Sequence, residues 1–225
     1  MAEQVQLPRL TDGYLGPQAK FYPYGLTTMS HSEPVIHSDT NQVEIVIGMS
    51  EKTRFTVKLL SVEPKFECNQ HVLTQVQGNE YHFTIAVPKP GFYKFQIYAL
   101  PNSEAGPNMI NVYNYLLNVQ QVDRYVENFP KQYPLWKQEG CYLFEPIMLL
   151  KNTREPSIKF KYYVPKAVDV QVKVHEDWNQ LEQTEPNIYE GYIDFSKGYP
   201  AGAKVKLNVK FGRSHKYDTL LEYTI

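Results

Sequence analysis

Two cysteines and six histidines are the residues of this 225-residue chain that could supply nucleophilic or metal chemistry. Cys68, in FECNQHV, has His71 close by in the sequence, and a thiol with a nearby imidazole is the pair that a cysteine nucleophile needs. No glycine turn follows Cys68 to form an oxyanion hole, and no helix N-terminus that would lower the thiol pKa is predicted there. We therefore favour a small buried side chain over a nucleophile.

The second cysteine, Cys141, follows Gly140 in EGCYLFEP, which has the outline of a nucleophile turn. The residues after Cys141 are typical of a strand, so we expect a structural thiol at the start of that strand. Both cysteines lie far apart on separate predicted strands, and the chain contains no Asn-x-Ser/Thr acceptor. These features favour a reducing, cytoplasmic setting.

The histidines show no spacing that predicts a metal site, because HxH, HExxH and CxxC are all missing. They are dispersed along the chain, at His31, His37, His71, His82, His175 and His215. Phosphate cradling by a glycine loop is not predicted either, since neither GxGxxG nor GxxxxGK[ST] occurs.

One acidic cluster could in principle hold calcium through its oxygens. In HEDWNQLEQTEPN it brings together Glu176, Asp177, Glu182 and Glu185, which we expect to lie in a loop. The regular alternation of an EF-hand loop is missing, so a solvated loop is the favoured interpretation. The sequence therefore predicts no catalytic, no cofactor-binding and no metal-binding residue, and the chain is expected not to be an enzyme.

The charge pattern argues against two classes of partner. Net charge is −1, with no basic block and no acidic tail, so we expect neither nucleic acid nor a membrane surface as a partner. No segment is apolar over the length of a bilayer span, and the opening residues lack the pattern of a secretory signal. We expect a soluble, cytoplasmic chain of unknown oligomeric state.

Aromatic and β-branched residues dominate the apolar composition, with 18 Tyr and 11 Phe. This mixture suits pleated, half-buried surfaces, and alternation of polar and apolar residues recurs along the chain. In GFYKFQIYA we expect Tyr93, Phe95, Ile97 and Ala99 to face a core. The pattern predicts strands at residues 43–49, 54–60, 71–77, 80–87, 92–100, 110–119, 141–150, 157–165, 168–178, 188–195, 203–212 and 217–225.

Strands at short spacing, without long helices between them, favour antiparallel sheets packed face to face. The predicted fold class is all-β, with two tandem immunoglobulin-like antiparallel β-sandwiches. We expect an N-terminal lead segment at 1–18, a first sandwich at 19–120 and a second at 121–225, joined within residues 120–135. The Cys–Trp–Cys core of antibody domains is missing.

An internal repeat is indicated by two pairs of anchors. Glu33-Pro34 precedes the first series of strands and Glu145-Pro146 the second, while Leu116-Leu117 and Leu220-Leu221 lie in the last strand of each half. We interpret these similarities as a duplication.

Aromatic side chains offer the remaining possibility of a binding shelf, for a sugar or a peptide. Alternation places about half of them in the core, and a seam between domains is a common structural place for Trp and Tyr. We therefore favour a core or seam position for the set Tyr113, Tyr115, Tyr162, Tyr163, Trp136 and Trp178.

Several motifs resemble the kyphoscoliosis peptidase and hillarin family. Segment 7–50 is similar to the stretch that follows the transglutaminase-like core in that family, GFYKFQIYA (91–99) to one of its strands, and CYLFEP (141–146) to the opening of a second domain. Within segment 7–50 the matching residues are Leu7-Pro8-Arg9-Leu10, Phe21-Tyr22, Gly25-Leu26 and Ser30-His31.

The resemblance implies tandem immunoglobulin-like domains of the kind found after that core, and a protein partner of the cytoskeleton, with filamin-like proteins suggested. The family's Cys-His-Asp core has no counterpart here, so no catalytic residue is carried over. A non-catalytic interaction module is the first hypothesis. Accessory domains that position or regulate a transglutaminase-like or cysteine peptidase core are the alternative, and a carbohydrate-binding module is less favoured.

Overall fold

A computed structural model describes Leu7 and residues 14–225 of the chain, and it confirms the all-β prediction with two immunoglobulin-like sandwiches. The chain divides into two compact units, Met1–Tyr125 and Val126–Ile225. Most of the predicted lead segment 1–18, including Pro8-Arg9-Leu10 of the family motif, lies outside the described residues. None of the helices in the described part has the length and apolar character of a bilayer span.

Unit 1 contains ten strands and one 3₁₀ turn at Asn69–His71 among its described residues. The strands are β1 (Gly16–Pro17), β2 (Leu26–Thr28), β3 (Val35–Ser38), β4 (Gln42–Met49), β5 (Thr53–Ser61), β6 (Phe66–Glu67), β7 (Val72–Gln77), β8 (Glu80–Ala86), β9 (Gly91–Pro101) and β10 (Ile110–Val119). One sheet has the order β1-β10-β9-β5-β6, with β3 pairing parallel to β10, and the facing sheet has the order β2-β4-β8-β7.

Unit 2 contains nine strands and one short helix, α1 (Pro134–Gln138). Its strands are β11 (Lys131–Gln132), β12 (Tyr142–Glu145), β13 (Ile158–Tyr163), β14 (Ala167–Val174), β15 (Asp177–Gln180), β16 (Glu182–Glu185), β17 (Ile188–Ile193), β18 (Lys204–Phe211) and β19 (Tyr217–Thr224). The sheets have the orders β11-β19-β18-β14-β15 and β12-β13-β17-β16. Apart from β3, this topology repeats that of unit 1 strand for strand.

Each unit buries the apolar face of its strands between two sheets. In β9 the predicted core positions Tyr93, Phe95, Ile97 and Ala99 are buried. In unit 2 the same alternation buries Val170, Val172 and Val174 of β14, while the residues between them face outward. Burial of such side chains stabilises the fold by about 1.5–3 kcal/mol each.

A glycine turn opens the second sheet of both units with the same hydrogen bonds. The N–H of Leu26 donates to the Phe21 carbonyl (3.2 Å), and the N–H of Cys141 donates to the Trp136 carbonyl (3.1 Å). The glycine before each donor, Gly25 or Gly140, has φ +70°, a left-handed conformation that only glycine adopts without strain. The turn thereby places a buried aromatic residue, Phe21 or Trp136, and the strand that follows it against the core of each unit.

A buried tyrosine closes each sandwich with one further bond. Tyr115 of β10 donates to the carbonyl of His31 at 2.7 Å, and Tyr223 of β19 donates to the carbonyl of Pro146 at 2.7 Å. Both hydroxyls are thus satisfied inside the core, where an unpaired one would cost about 1–3 kcal/mol. Tyr223 also shares a bond with the hydroxyl of Tyr162 (3.0 Å).

The tandem repeat is real, but the sequence anchors proposed for it are misplaced. Strand pairing makes Leu221 equivalent to Tyr113, because Gln132 pairs with Leu221 where Pro17 pairs with Tyr113. Tyr223 is then equivalent to Tyr115, and the carbonyls that accept their bonds make Pro146 equivalent to His31. Glu33-Pro34 therefore does not correspond to Glu145-Pro146, nor Leu116-Leu117 to Leu220-Leu221. Loops and bulges of unequal length shift similar dipeptides out of register.

Two predicted strands of unit 2 and the predicted junction differ from the structure. The strand at 141–150 stops at Glu145 before Pro146, which lacks an N–H for a sheet. The strand at 168–178 is instead a hairpin, because His175 adopts φ +54° and turns β14 into β15. Part of the predicted junction at 120–135 is ordered into β11 and the start of α1.

Hydrogen bonds of the buried Asn41 side-chain amide hold the C-terminal segment of unit 1 in place. The amide donates to the carbonyls of Val87 (2.8 Å) and Arg124 (3.0 Å) and accepts from the N–H groups of Asp123 and Arg124 (3.2 Å each). On the other side, the N–H of Glu127 donates to the sulfur of Met148 in unit 2. The sequence-based boundary at 120–121 stays a prediction, and we propose Tyr125-Val126 as the link.

We predict that limited chymotrypsin digestion under native conditions cuts first after Tyr125 within residues 35–225. Its side chain is 86% exposed and lies between the two fastened segments, whereas Tyr192, 70% exposed, is held in paired strand β17. Mass spectrometry of the fragments checks the position of the cut. Tyr125→Ala should slow cleavage there, and an initial cut at Tyr192 would contradict the assignment.

Candidate functional site

Neither cysteine has the surroundings of a nucleophile. Cys68 is buried, its sulfur lies 3.5 Å from the carbonyl of Leu59, and burial raises the pKa of the thiol. Burial, with a smaller contribution from Glu139, raises the pKa of Cys141 to about 12. Both groups are therefore protonated thiols at neutral pH, which is the unreactive form.

The acidic cluster predicted to lie in a loop is spread over two sheets. Asp177 begins β15, whereas Glu182 and Glu185 lie on β16, which belongs to the facing sheet. The Asp177 carboxylate is bound by Lys197 and by the hydroxyl of Tyr199 (2.9 Å). Among the residues that the structure describes, no group of three or more His, Cys, Asp or Glu is placed to hold a metal.

The six aromatic residues singled out from the sequence divide by burial. The core position holds for Tyr113, Tyr115, Tyr162 and Trp136, which are buried, and Tyr163 is half-buried. Trp178 differs, because 49% of its surface is exposed on β15. It is therefore the member of the set that is available to a ligand.

Trp178 lies on the outer face of the β15-β14-β18-β19 sheet. Strand register places it beside Lys173, which is beside Lys206, which is beside Glu222. These residues alternate with buried core residues, so the row points to solvent. Sheet geometry, and not a loop, fixes their spacing.

A second aromatic side chain meets Trp178 on this face. The ring of Tyr217, 40% exposed, lies 5.2 Å from the indole ring with the planes tilted by 55°. The ammonium of Lys173 lies 5.4 Å from the indole centre on the same face, within the range of a cation–π contact. We call the group Asp169, Gln171, Lys173, Trp178 and Tyr217 the aromatic face.

Asp169 holds Tyr217 in place through a hydrogen-bond network. Its carboxylate accepts bonds from the Tyr217 hydroxyl and from the amides of Gln171 and Gln180, the latter two at 3.1 Å. Partial burial acts to raise the pKa of Asp169, but these bonds outweigh it and hold the pKa below its ordinary value. The carboxylate therefore stays charged at neutral pH and holds the Tyr217 ring in position beside Trp178.

Tyr217 was missed by the sequence analysis because of a bulge. Tyr217 and Tyr223 have the same parity along β19, yet one is on the outer face and the other is in the core. The register shifts between Leu207 and Asn208 of β18, whose partners on β19 are Leu221 and Thr219, and both Leu220 and Leu221 are buried. The extra residue on β19 reverses the alternation there, and a local sequence pattern does not reveal it.

Half-exposed Trp and Tyr, surrounded by charged and amide side chains, are the composition of a protein-binding surface. The ion pairs around the aromatic face are exposed, such as Lys173 with Glu176 at 3.6 Å, and contribute little stability. These side chains are free to form new pairs with a partner. The arrangement suits recognition of a partner through the two rings and the charged side chains around them.

Comparison with known proteins points to one family. The family model described as "KY-like, immunoglobulin-like domain" matches residues 13–130. Kyphoscoliosis peptidase of Mus musculus is 26% identical over 98% of this chain and 33% of its own length, and that of Homo sapiens is 24% identical over the same shares. The chain thus spans about one third of the length of these relatives.

Among solved structures, the periplasmic chaperone SfaE is 10% identical, covering 89% of this chain and 98% of the chaperone, with a TM-score of 0.29. A likeness at that score carries no functional argument.

We predict that both thiols resist a thiol reagent at neutral pH in the folded protein. For Cys141 the thiolate fraction is about 1,000-fold below that of an ordinary cysteine. Labelling with a chromogenic disulfide should be slow in buffer and give two thiols in urea, with Lys151→Cys as an exposed positive control. Rapid labelling of Cys68 or Cys141 in buffer would contradict their burial.

We predict that Tyr217→Phe raises the pKa of Asp169, measured by NMR titration of its carboxyl carbon. The depressed pKa stabilises the fold above the ordinary pKa, and this contribution is lost as pH falls through the folded-state value. Without the bond from Tyr217, the folded protein should therefore lose part of this stabilisation at neutral pH. Tyr199→Phe is the matched control, because it should raise the pKa of Asp177 and leave Asp169 unchanged.

Proposed function

This chain belongs to the family of the KY-like, immunoglobulin-like domain, and from that premise we propose that it is a non-catalytic protein-interaction module. The observation that carries the proposal is the aromatic face of unit 2. There Trp178 and Tyr217 are half-exposed and in ring contact, and the bond to Asp169 fixes the Tyr217 side chain. Large, preorganised aromatic side chains lose little conformational entropy on binding, so they give affinity efficiently.

We propose a partner of the cytoskeleton in the cytoplasm, as the family resemblance implies, with filamin-like proteins as the first candidates. Two features support this setting. Both cysteines are free, which suits a reducing compartment. The net charge of −1 gives no general attraction to nucleic acid or anionic lipid, so selectivity has to come from surface shape and local contacts.

A second candidate function follows from the relatives, which are named peptidases and are about three times as long as this chain. In this alternative the two sandwiches are accessory domains that position or regulate a transglutaminase-like or cysteine peptidase core. The aromatic face would then bind that core. The two candidates differ in the partner and share the surface.

We predict that Trp178→Ala and Tyr217→Ala each weaken partner binding at least about ten-fold, since exposed aromatic anchors contribute about 2 kcal/mol or more. The measurement is quantitative capture from a reducing cytosolic extract, followed by titration with the purified cytoskeletal protein recovered. Tyr192→Ala is the matched control, since it removes an exposed tyrosine from the other sheet of unit 2.

The variants should change the free energy of unfolding by only about 0.5 kcal/mol, because the side chains lie outside the core. Binding to an isolated peptidase core, and not to cytoskeletal protein, would favour the accessory-domain alternative. Binding to glycans that is lost in Trp178→Ala would favour a carbohydrate-binding module. Equal binding by wild type and both variants would overturn the aromatic face as the site.

A further inference from the structure

An open cavity of about 320 Å³ adjoins the aromatic face at one end of the sheet. Its lining includes Lys173, Lys204 and Lys206, together with His175, Glu176 and the turn at 200–203. Lys173 belongs both to this cavity and to the aromatic face, where its ammonium lies 5.4 Å from the Trp178 ring. The cavity and the indole are therefore parts of one continuous surface. We call this cavity the lysine pocket.

Positive charge prevails in the lysine pocket. Three lysines line it against one carboxylate, that of Glu176, which lies 3.6 Å from Lys173. Glu222 approaches Lys204 and Lys206 from outside the lining, at 3.8 and 4.0 Å, distances too long for strong hydrogen-bonded pairs. The lysine side chains are between about one-quarter and one-half exposed, so their ammonium groups can reach a ligand.

The position of each ammonium is fixed by the sheet. Lys173 and Lys206 are partners in the β14–β18 register, and Lys204 precedes Lys206 on the same face of β18. The turn at 200–203 is held by backbone bonds, including Ala203 N–H to the Pro200 carbonyl at 3.0 Å, and His175 N–H donates to the Lys204 carbonyl beside it at 2.9 Å. The three lysine side chains thus extend from a rigid sheet. Carboxylates spaced along an extended peptide match the spacing of these lysines.

We propose that this surface binds an extended acidic segment of a protein partner, whose carboxylates enter the lysine pocket while a neighbouring apolar side chain packs on Trp178. The inference rests on the proposed function and specifies the chemistry of the partner. Lysine serves as a point charge, whereas bidentate recognition of phosphate favours arginine. The surplus of charge is small, which suits a few carboxylates better than a polyanion.

The test uses the fluorescence of the chain itself. Of its two tryptophans, Trp136 is 3% exposed, so a neutral quencher such as acrylamide reports mainly on Trp178. The probe is a short synthetic peptide of glutamates with one leucine, compared with a peptide in which glutamine replaces glutamate. The acidic peptide should protect Trp178 from quenching, and raising the salt concentration from about 0.02 to about 0.3 M should weaken binding several-fold.

The variants separate charge from folding. Lys204→Glu combined with Lys206→Glu should weaken the acidic peptide about ten-fold or more, and Lys204→Gln with Lys206→Gln should weaken it less. Lys151→Glu, which changes an exposed lysine outside the pocket, should have no effect. Near-ultraviolet circular dichroism checks that each variant is folded, and the glutamine pair keeps the test valid if the glutamate pair unfolds.

Equal binding of acidic and neutral peptides, or undiminished binding by the folded lysine variants, would overturn this inference. The proposed function would survive that result if Trp178→Ala still abolished binding to the purified partner. Conversely, loss of peptide binding in the lysine variants, with partner binding unaffected by Trp178→Ala, would contradict the aromatic face and leave a purely electrostatic site.

Discussion

The burial of one face of every long strand is the constraint on which the rest of the structure depends. Each unit has two sheets whose apolar faces meet, and strands such as β14 commit alternate residues to that interior. Because the core occupies one face, both cysteines and many of the aromatic side chains are buried. Function is left to the opposite face and the loops, which explains why a chain rich in tyrosine offers so little reactive chemistry.

Several polar groups inside the sandwiches are tolerated because hydrogen bonds satisfy them. The hydroxyls of Tyr115 and Tyr223 reach backbone carbonyls, and the amide of Asn41 uses donors and acceptor together. On the outer face Asp169 does the same for Tyr217. Side-chain hydrogen bonds thus satisfy buried polar groups in the core and also hold the exposed Tyr217 side chain in one position. The aromatic face is preorganised by the same kind of interaction.

The sequence predicted the long strands well, since eight or more alternating residues give a clear period, as in β9 and β10. It missed β1, β2, β6 and β11, which have only two or three residues and are defined by pairing with distant strands. It also missed the reversal at His175 and the change of face in β19, because a left-handed residue other than glycine and a bulge break the local pattern. Trp178 was named from its sequence, but its pairing with Tyr217 depends on the fold.

The bond that closes each sandwich has a consequence for how the two halves can diverge. A main-chain oxygen is offered by every amino acid, so His31 and Pro146 fill the same role with unrelated side chains. A substitution at the position that supplies the carbonyl therefore leaves the hydrogen bond almost unchanged. The tyrosine that donates the bond and the glycine with positive φ can be replaced by few other residues. In other proteins with this domain, the tyrosine and the glycine should therefore be retained where most of the remaining sequence differs.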